Sequence, residues 1–264
     1  MTVRKDPDML TVRLDERDGA PMWSCLQGTV LRGEFLAWRR LGLGPGTETW
    51  LAWSVPLWCP AVLKLPRPHQ VDHPRARRAL AREAAALAGN PHPALPRLYT
   101  DATDAATPYI ATEYIDGPTL AEEIAAGGPL EEAEVALLGA QLLTGLHALH
   151  QRGLAHLDVR PGNVVLRDMR PVLIDFGTTR RIGTPHPSRD PVAADLHALG
   201  ATLRAARTPP VTATPLTALI TALLDPDPDR RPSTAQTLTA LAALVPDDLR
   251  PWPTWADPAA GRAS

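Results

Sequence analysis

HLDVRPGNVVL, residues His156–Leu166, is the stretch whose reading decides the fold. It puts Asp158 five residues before Asn163, on a turn that leads into the short apolar run NVVL. A second apolar run, PVLID (Pro171–Asp175), lies beyond a turn at Asp168 and ends on Asp175. Two such runs around a turn predict a small β pair. Three oxygen-bearing side chains, Asp158, Asn163 and Asp175, therefore sit on turns beside short strands. Oxygen ligands suit Mg²⁺, a hard cation that keeps several waters and bridges substrate phosphates. A loop of this length can aim the aspartate at a hydroxyl and the asparagine at a metal. Taken singly, Asp and Asn in turns cap backbone groups; the combination is what points to chemistry.

The 264 residues suit one two-lobed domain or two small ones, and they can bury a sizeable core without disulfide or metal staples. A formal net charge of -2 gives no argument for a nucleic-acid or acidic-membrane partner. Of 27 basic residues only Lys5 and Lys64 are lysines, in a chain also rich in Ala and Pro. Cys25 and Cys59 form no metal-ligand spacing; a disulfide is open to them, and a reducing compartment is the simpler reading. MTVRKDPDML lacks a signal-peptide apolar core, and no segment runs 18 residues without a polar interruption. The expectation is a cytoplasmic protein that does not cross a membrane.

Along the chain, LTVRL reads as a short strand, and Met22 and Trp23 as residues that pack on the domain. FLAWRRLGLGPGTETWLAWSV reads as strand, glycine turn, strand; PAVLKLP as a strand; and ATPYIATEYIDG as a hairpin-like strand ending in a turn. Asp72–Ala88 predicts a helix with Asp72 as N-cap. Thr119–Leu149 is helical in pattern with a break at AGGPL, and further helices are expected over Ala193–Ala206, Leu216–Leu224 and Thr234–Leu244. The seam between a strand-rich first part and a helical remainder falls near Asp116 and Gly117. Five of the seven tryptophans lie between Trp23 and Trp58, and they read mainly as core or strand-face residues rather than a partner surface.

In order along Phe35–Leu244, these motifs resemble a eukaryotic-type Ser/Thr protein kinase of the bacterial kind. LGLGPGTETW is similar to the glycine-rich loop, AVLK to the third-strand lysine motif, and AREAAAL to the helix bearing its partner glutamate. ATEYIDG resembles the hinge, HLDVRPGN the catalytic loop, DFG the metal-binding turn, DLHALG the helix supporting the catalytic loop, and DPDPDRRPS the end of the large lobe. The implied fold is α+β and two-lobed: an N-terminal extension over 1–33, a small antiparallel-sheet lobe over 34–116, a mainly helical lobe over 117–245, and a tail over 246–264 containing Pro and Trp.

The resemblance also implies roles. Gly42 and Gly44 would let backbone cover the phosphates of ATP, with Thr49 and Val62 beside the nucleotide. Lys64 would contact the α- and β-phosphates and be held by Glu83, while the backbone of Glu113 and Ile115 would meet adenine. Asp158 would accept or orient the proton of the substrate hydroxyl, and Asn163 and Asp175 would hold Mg²⁺ or Mn²⁺. Arg160 stands where most such kinases carry a lysine facing the γ-phosphate, and it keeps the charge with a two-pronged grip. His156 would order the loop, and Asp195 would support it. Lys64 gains weight from the scarcity of lysine, since an arginine would serve a merely solvated charge. His147 and His150 lie three apart with no carboxylate or cysteine close in sequence, which favours packing over a metal.

Departures from the pattern bear on function. Thr47 replaces the third glycine, Pro45 removes a main-chain donor near the loop tip, and Val62 narrows the adenine pocket. Leu157 replaces the arginine that reads a phosphorylated activation segment, so no switching by loop phosphorylation is expected. No APE-like element follows Gly183–Pro185, and Asp195 arrives only 20 residues after Asp175. His186–Pro191 mark a deleted peptide platform, and ARTPPVTATPL is too short for the usual helix after DLHALG. Arg231, normally paired with the missing glutamate, is expected to be exposed or bonded to a substitute acceptor, for which Asp190 is the candidate. The expected activity is transfer of phosphate from ATP to a protein substrate or to the chain itself, with a partner protein at the shortened face. A small-molecule phosphotransferase of the aminoglycoside and choline kinase group, and a nucleotide-binding pseudokinase scaffold, are the alternatives.

Overall fold

The structure, a computed structural model, describes residues 10–32, 34–168, 170–184, 190–207 and 213–249. Its described residues divide into two compact units. The first runs to Asp116 and also takes in Ile174–Arg181; the second comprises Gly117–Leu173 and the chain from Ile182 onward.

The first unit opens with a hairpin, β1 (Thr11–Leu14) and β2 (Pro21–Ser24), paired antiparallel with Val12 opposite Trp23. It continues through β3 (Val30–Leu31), β4 (Phe35–Leu43), β5 (Thr47–Ser54) and β6 (Cys59–Pro66), then helix α1 (Pro74–Leu87), β7 (Leu98–Ala102) and β8 (Tyr109–Glu113). Strands β3 to β8 make one six-stranded sheet in the order β3-β4-β5-β6-β8-β7. TETWLAWS forms β5 because its side chains alternate between faces with period two. Glu48, Trp50, Ala52 and Ser54 are buried, and the residues between them are half-exposed. On the buried face, Phe35, Trp50, Leu63, Leu65 and Ala111 form a core that Leu10, Trp23 and Leu31 complete.

Helix α1 begins one residue later than Asp72 would allow. Pro74 takes the first helical position, where its fixed φ and missing N–H cost nothing. The cap is then His73, whose Nδ1 accepts the Arg75 N–H at 3.2 Å, while Asp72 faces Arg77 at 3.8 Å. Of the five clustered tryptophans, Trp23 and Trp50 are buried, whereas Trp38 and Trp58 are exposed. Both cysteines are free.

In the second unit, α2 (Leu120–Gly127) and α3 (Glu132–Gln151) each start on a capping box, then the chain makes the two-residue strand β9 (Leu154–Ala155). Strands β10 (Val164–Arg167) and β11 (Arg170–Leu173) are the antiparallel pair expected around Asp168. The two-residue β12 (Arg180–Arg181) belongs to the first unit. Helices α4 (Pro191–Ala206), α5 (Pro215–Leu223) and α6 (Thr234–Leu244) complete the second unit. Leu142, Leu146, Leu199, Leu203, Ile220 and Leu241 are among its buried side chains. Gly200 lets α4 approach α5, because a Cβ there would lie 2.7 Å from the Leu223 Cβ. Gly117, the unit's first residue, has φ +147°, and a Cβ would meet the Leu166 carbonyl oxygen at 2.0 Å. Among the described residues no helix is long and apolar enough to cross a membrane. Of the stretch His186–Pro191, expected to mark a deleted peptide platform, residues 186–189 lie outside the described residues, as does the tail from 250 onward.

Candidate functional site

In the first unit, Lys64 lies on β6 and Glu83 in the middle of α1. The Lys64 ammonium donates to Glu83 Oε2 at 2.7 Å and to Asp175 Oδ1 at 2.6 Å. Burial opposes the charge on Lys64, but the two carboxylates and their hydrogen bonds override it and hold the group above its ordinary value. Burial pushes the Glu83 carboxyl up; Lys64 pulls it back, and the Asp175 charge adds to the rise. Asp175 is the open member of the cluster, with about 48% of its side chain exposed.

The turn at Asp175 is shaped by strain and by bonds from α1. Asp175 has φ +64°, a left-handed conformation that costs a non-glycine residue about 1–3 kcal/mol and is found at sites where function holds it. Its Oδ1 also accepts the Gly177 N–H at 3.3 Å. Glu83 accepts the Phe176 N–H, and Arg82, the residue before it, donates twice to the Gly177 carbonyl at 3.2 and 2.8 Å. A Cβ at residue 177 would stand in ordinary van der Waals contact with the cluster, 3.4 Å from Asp175 Oδ1 and 3.8 Å from Lys64 Nζ. Nothing in the local sequence marks Arg82 except its place beside Glu83.

Gly42, at the end of β4, pairs with Thr49 on β5, and Thr49 pairs in turn with Lys64. Val62 shares the face of Lys64, two residues away on β6. Gly44 opens the three-residue turn Gly44–Gly46, and its N–H is given to the Thr47 carbonyl at 2.9 Å. Pro45 has no N–H to offer, so Gly46 carries the turn's remaining donor. Glu113 ends β8, where its N–H bonds the Arg97 carbonyl at 2.8 Å, and Ile115 follows it, buried.

In the second unit, Asp158, Arg160 and Asn163 lie between β9 and β10. Asn163 Nδ2 donates to the main-chain carbonyl of Asp158 at 2.9 Å and to its Oδ2 at 2.7 Å, so the amide oxygen is the end turned away from Asp158. Arg160 Nε lies 3.5 Å from the same Oδ2. His156 Nδ1 accepts the Asp158 N–H at 3.2 Å, which is the ordering role expected of it. Asp195, fully buried on α4, accepts the N–H groups of His156 and Leu157 at 2.8 and 2.7 Å. It also bonds His150 Nε2 at 2.8 Å. His150 therefore does have a carboxylate partner, 45 residues away in sequence and invisible to local spacing. Leu157 takes φ +65° within this arrangement.

Arg231 is bonded to substitute acceptors, as expected, but the candidate Asp190 is corrected. It donates to two main-chain carbonyls, Asp225 at 2.9 Å and Ala193 at 2.8 Å, and not to Asp190. Asp190 instead caps α4, accepting the N–H groups of Val192 and Ala193 at 2.9 and 3.1 Å. Among the described residues no group of three or more His, Cys, Asp or Glu forms a metal cluster.

A family model described as a protein kinase domain matches residues 41–195, more than half of the chain. The chain belongs to the protein kinase family. It is 39% identical over 143 residues to a probable serine/threonine-protein kinase, PkwA, of Thermomonospora curvata, covering 53% of this chain and 19% of that protein. It is 34% identical over 158 residues to serine/threonine-protein kinase C of a Synechocystis strain, covering 56% and 29%. Against the serine/threonine-protein kinase PknB of Mycobacterium leprae it is 32% identical over 148 residues, covering 54% and 24%. The chain thus spans less than a third of the length of these relatives. The kinase domain of PknI from Mycobacterium tuberculosis superimposes with a TM-score of 0.65 at 24% identity, over 84% of this chain and all of that domain, and supports the fold. The family is the bacterial branch of eukaryotic-type Ser/Thr kinases, with the α+β kinase fold.

Proposed function

We propose that the chain transfers the γ-phosphate of ATP to a protein hydroxyl. The observation that carries this reading is the Lys64–Glu83–Asp175 cluster, a buried ammonium held between two carboxylates of which one stays open to solvent. Lys64 would bind the α- and β-phosphates as a point charge, with Glu83 fixing its position. Asp158 would take the proton of the attacking hydroxyl as the new P–O bond forms and the bond to ADP breaks. The Asn163 amide, which donates to Asp158 Oδ2 at 2.7 Å, would hold the carboxylate for that task. Arg160 would face the γ-phosphate, Gly42 and Gly44 would cover the phosphates, Thr49 and Val62 would flank the nucleotide, and backbone at Glu113 and Ile115 would meet adenine.

The donor set fits a hard cation. Asp175 offers a carboxylate oxygen and Asn163 an amide oxygen, the pairing Mg²⁺ uses when waters and phosphates complete its shell. Mn²⁺ suits the same donors. Asn163 and Asp175 are the residues that would hold the ion, which would supply positive charge against the phosphates.

One observation favours a second reading, a nucleotide-binding pseudokinase. Gly44 spends its N–H inside the turn and Pro45 has none, so the turn offers phosphate fewer donors than an all-glycine loop. The test is label transfer from γ-labelled ATP with Mg²⁺ or Mn²⁺, offered the chain itself, a generic protein, and a panel of sugar and amine alcohols. Protein labelling that disappears in Asp158→Asn and Lys64→Ala supports kinase activity. Labelling of an alcohol alone supports a small-molecule phosphotransferase, and nucleotide binding without transfer supports the pseudokinase.

A further inference from the structure

The first unit's sheet carries a second group of buried charges, on the face opposite Lys64. Alternation puts Glu48 and Trp50 of β5, with their register partners Leu65 and Leu63 of β6, on that face. Glu48 is fully buried. Its carboxylate accepts the Trp23 main-chain N–H at 2.7 Å and the Trp50 indole N–H at 3.3 Å, and Arg40 Nε lies 3.1 Å away. Arg40 sits over the Trp50 ring, 4.8 Å from its centre, and donates to the Trp23 carbonyl. The Trp23 indole in turn donates to the Pro66 carbonyl at 2.8 Å. Both strands of the glycine-rich loop therefore grip the β1–β2 hairpin.

Arg67 joins the hairpin to the turn itself. It is the largest fully buried side chain, at 1% exposure. Its guanidinium donates to the Pro21 and Ala20 carbonyls at 3.1 and 3.0 Å and, two-pronged, to Asp18 at 2.7 and 3.1 Å. In the other direction its main-chain N–H bonds the Gly46 carbonyl at 3.0 Å, and Nη1 reaches the Gly44 carbonyl at 3.5 Å. Removing any of these partners leaves a buried cation short of acceptors, which is costly in a low-dielectric interior. The hairpin and the turn are thereby coupled.

We propose that the hairpin over residues 10–24 acts as a strap on the glycine-rich turn, and that Arg67 is the positioning residue that sets how closely Gly44–Gly46 cover the nucleotide phosphates. The proposal rests on the nucleotide-site reading above. Arg67 would touch no reacting atom; it would act through the turn's carbonyls. Loosening the strap should weaken nucleotide binding without disturbing the Lys64–Glu83 pair.

Asp18→Ala breaks the strap from its half-exposed end, and Arg67→Gln breaks it at the centre. In each, amide exchange at Gly44 and at residue 67 is compared with the affinity for a fluorescent ATP analogue, after a thermal melt confirms cooperative folding. The expected result is faster exchange at both amides and a roughly five- to tenfold weaker affinity, larger for Arg67→Gln and partly rescued by Arg67→Lys. Unchanged exchange in Asp18→Ala, or faster exchange with unchanged affinity, overturns the proposal. If Arg67→Gln does not melt cooperatively, Asp18→Ala decides alone. A wild type that binds no nucleotide overturns the site reading and the strap's link to phosphate together, while the exchange data still uphold or overturn the hold on the turn.

Discussion

On one face of the first unit's sheet, Lys64 meets Glu83 and Asp175 at 2.7 and 2.6 Å; on the other, Glu48 collects Arg40, Trp50 and the main chain of Trp23. Both groups centre on a buried charge, but they are closed to different degrees. Around Glu48 the carboxylate is wholly buried. Around Lys64 the cluster ends in Asp175, whose side chain is half exposed and whose backbone is held left-handed. A closed network organises the fold, whereas one left open on a single carboxylate can still take a ligand. Disturbing the first should cost stability, and disturbing the second should cost nucleotide chemistry.

The largest separation is expected from Lys64→Ala, which should lower phosphoryl transfer by about 10²–10³-fold, the cost of losing one preorganised electrostatic contact to the reacting group. Steady-state transfer assays check this beside a variant of the closed side. Glu48→Ala should lose about 2–3 kcal/mol of stability, since it strands the half-buried Arg40 charge and the buried Trp23 N–H, and a lower urea midpoint at unchanged slope would show it. Gly117→Ala, in the second unit, should lose about 1–3 kcal/mol through its backbone conformation alone, with the contact at Leu166 adding to it. Arg231→Gln should lose only about 1 kcal/mol, because two main-chain carbonyls each give up one donor.

The smallest effect is one of pH. Arg67 holds the Asp18 carboxyl down to about 2 from 3.8, first through their hydrogen bond. A depressed carboxyl contributes stability above its unfolded pKa and loses it as pH falls through the folded one. The difference in Tm between wild type and Asp18→Ala should therefore be constant above about pH 5, fall through pH 4 to 2, and approach zero near pH 1. A difference undiminished between pH 5 and pH 1 would show that Asp18 acts through something other than its charge.

How legible these features were follows from what each one needs. Asp158, Asn163 and Asp175 stand out as oxygen-bearing side chains on turns beside short strands, and the β10–β11 pair around Asp168 comes with them, whereas Lys64 and Glu83 are picked out by the resemblance of their motifs to a protein kinase. Bonds to main-chain carbonyls demand no partner side chain, which is why the sequence points to Asp190 for Arg231 while its acceptors are the carbonyls of Asp225 and Ala193. The start of α1 was displaced because Pro74 moved the cap from Asp72 to His73. Strand β7 was missed because LYTDA lacks alternation, and a bulge between Leu98 and Thr100 interrupts its pairing with β8. The strap was hidden by distance, since Trp23 lies 25 residues from Glu48 and Asp18 lies 49 from Arg67. One local signal existed: Glu48 falls in phase with Trp50 and Ala52 in TETWLAWS, an acid on the apolar side of a strand.

Calorimetric titration of ATP with and without Mg²⁺, on wild type, Asp175→Asn and Lys64→Ala, tests the open cluster most directly. The account predicts that wild type binds ATP more tightly with Mg²⁺, that Asp175→Asn loses the gain from the metal, and that Lys64→Ala binds weakly in both conditions. Wild-type affinity indifferent to Mg²⁺, or undiminished binding by both variants, would contradict it.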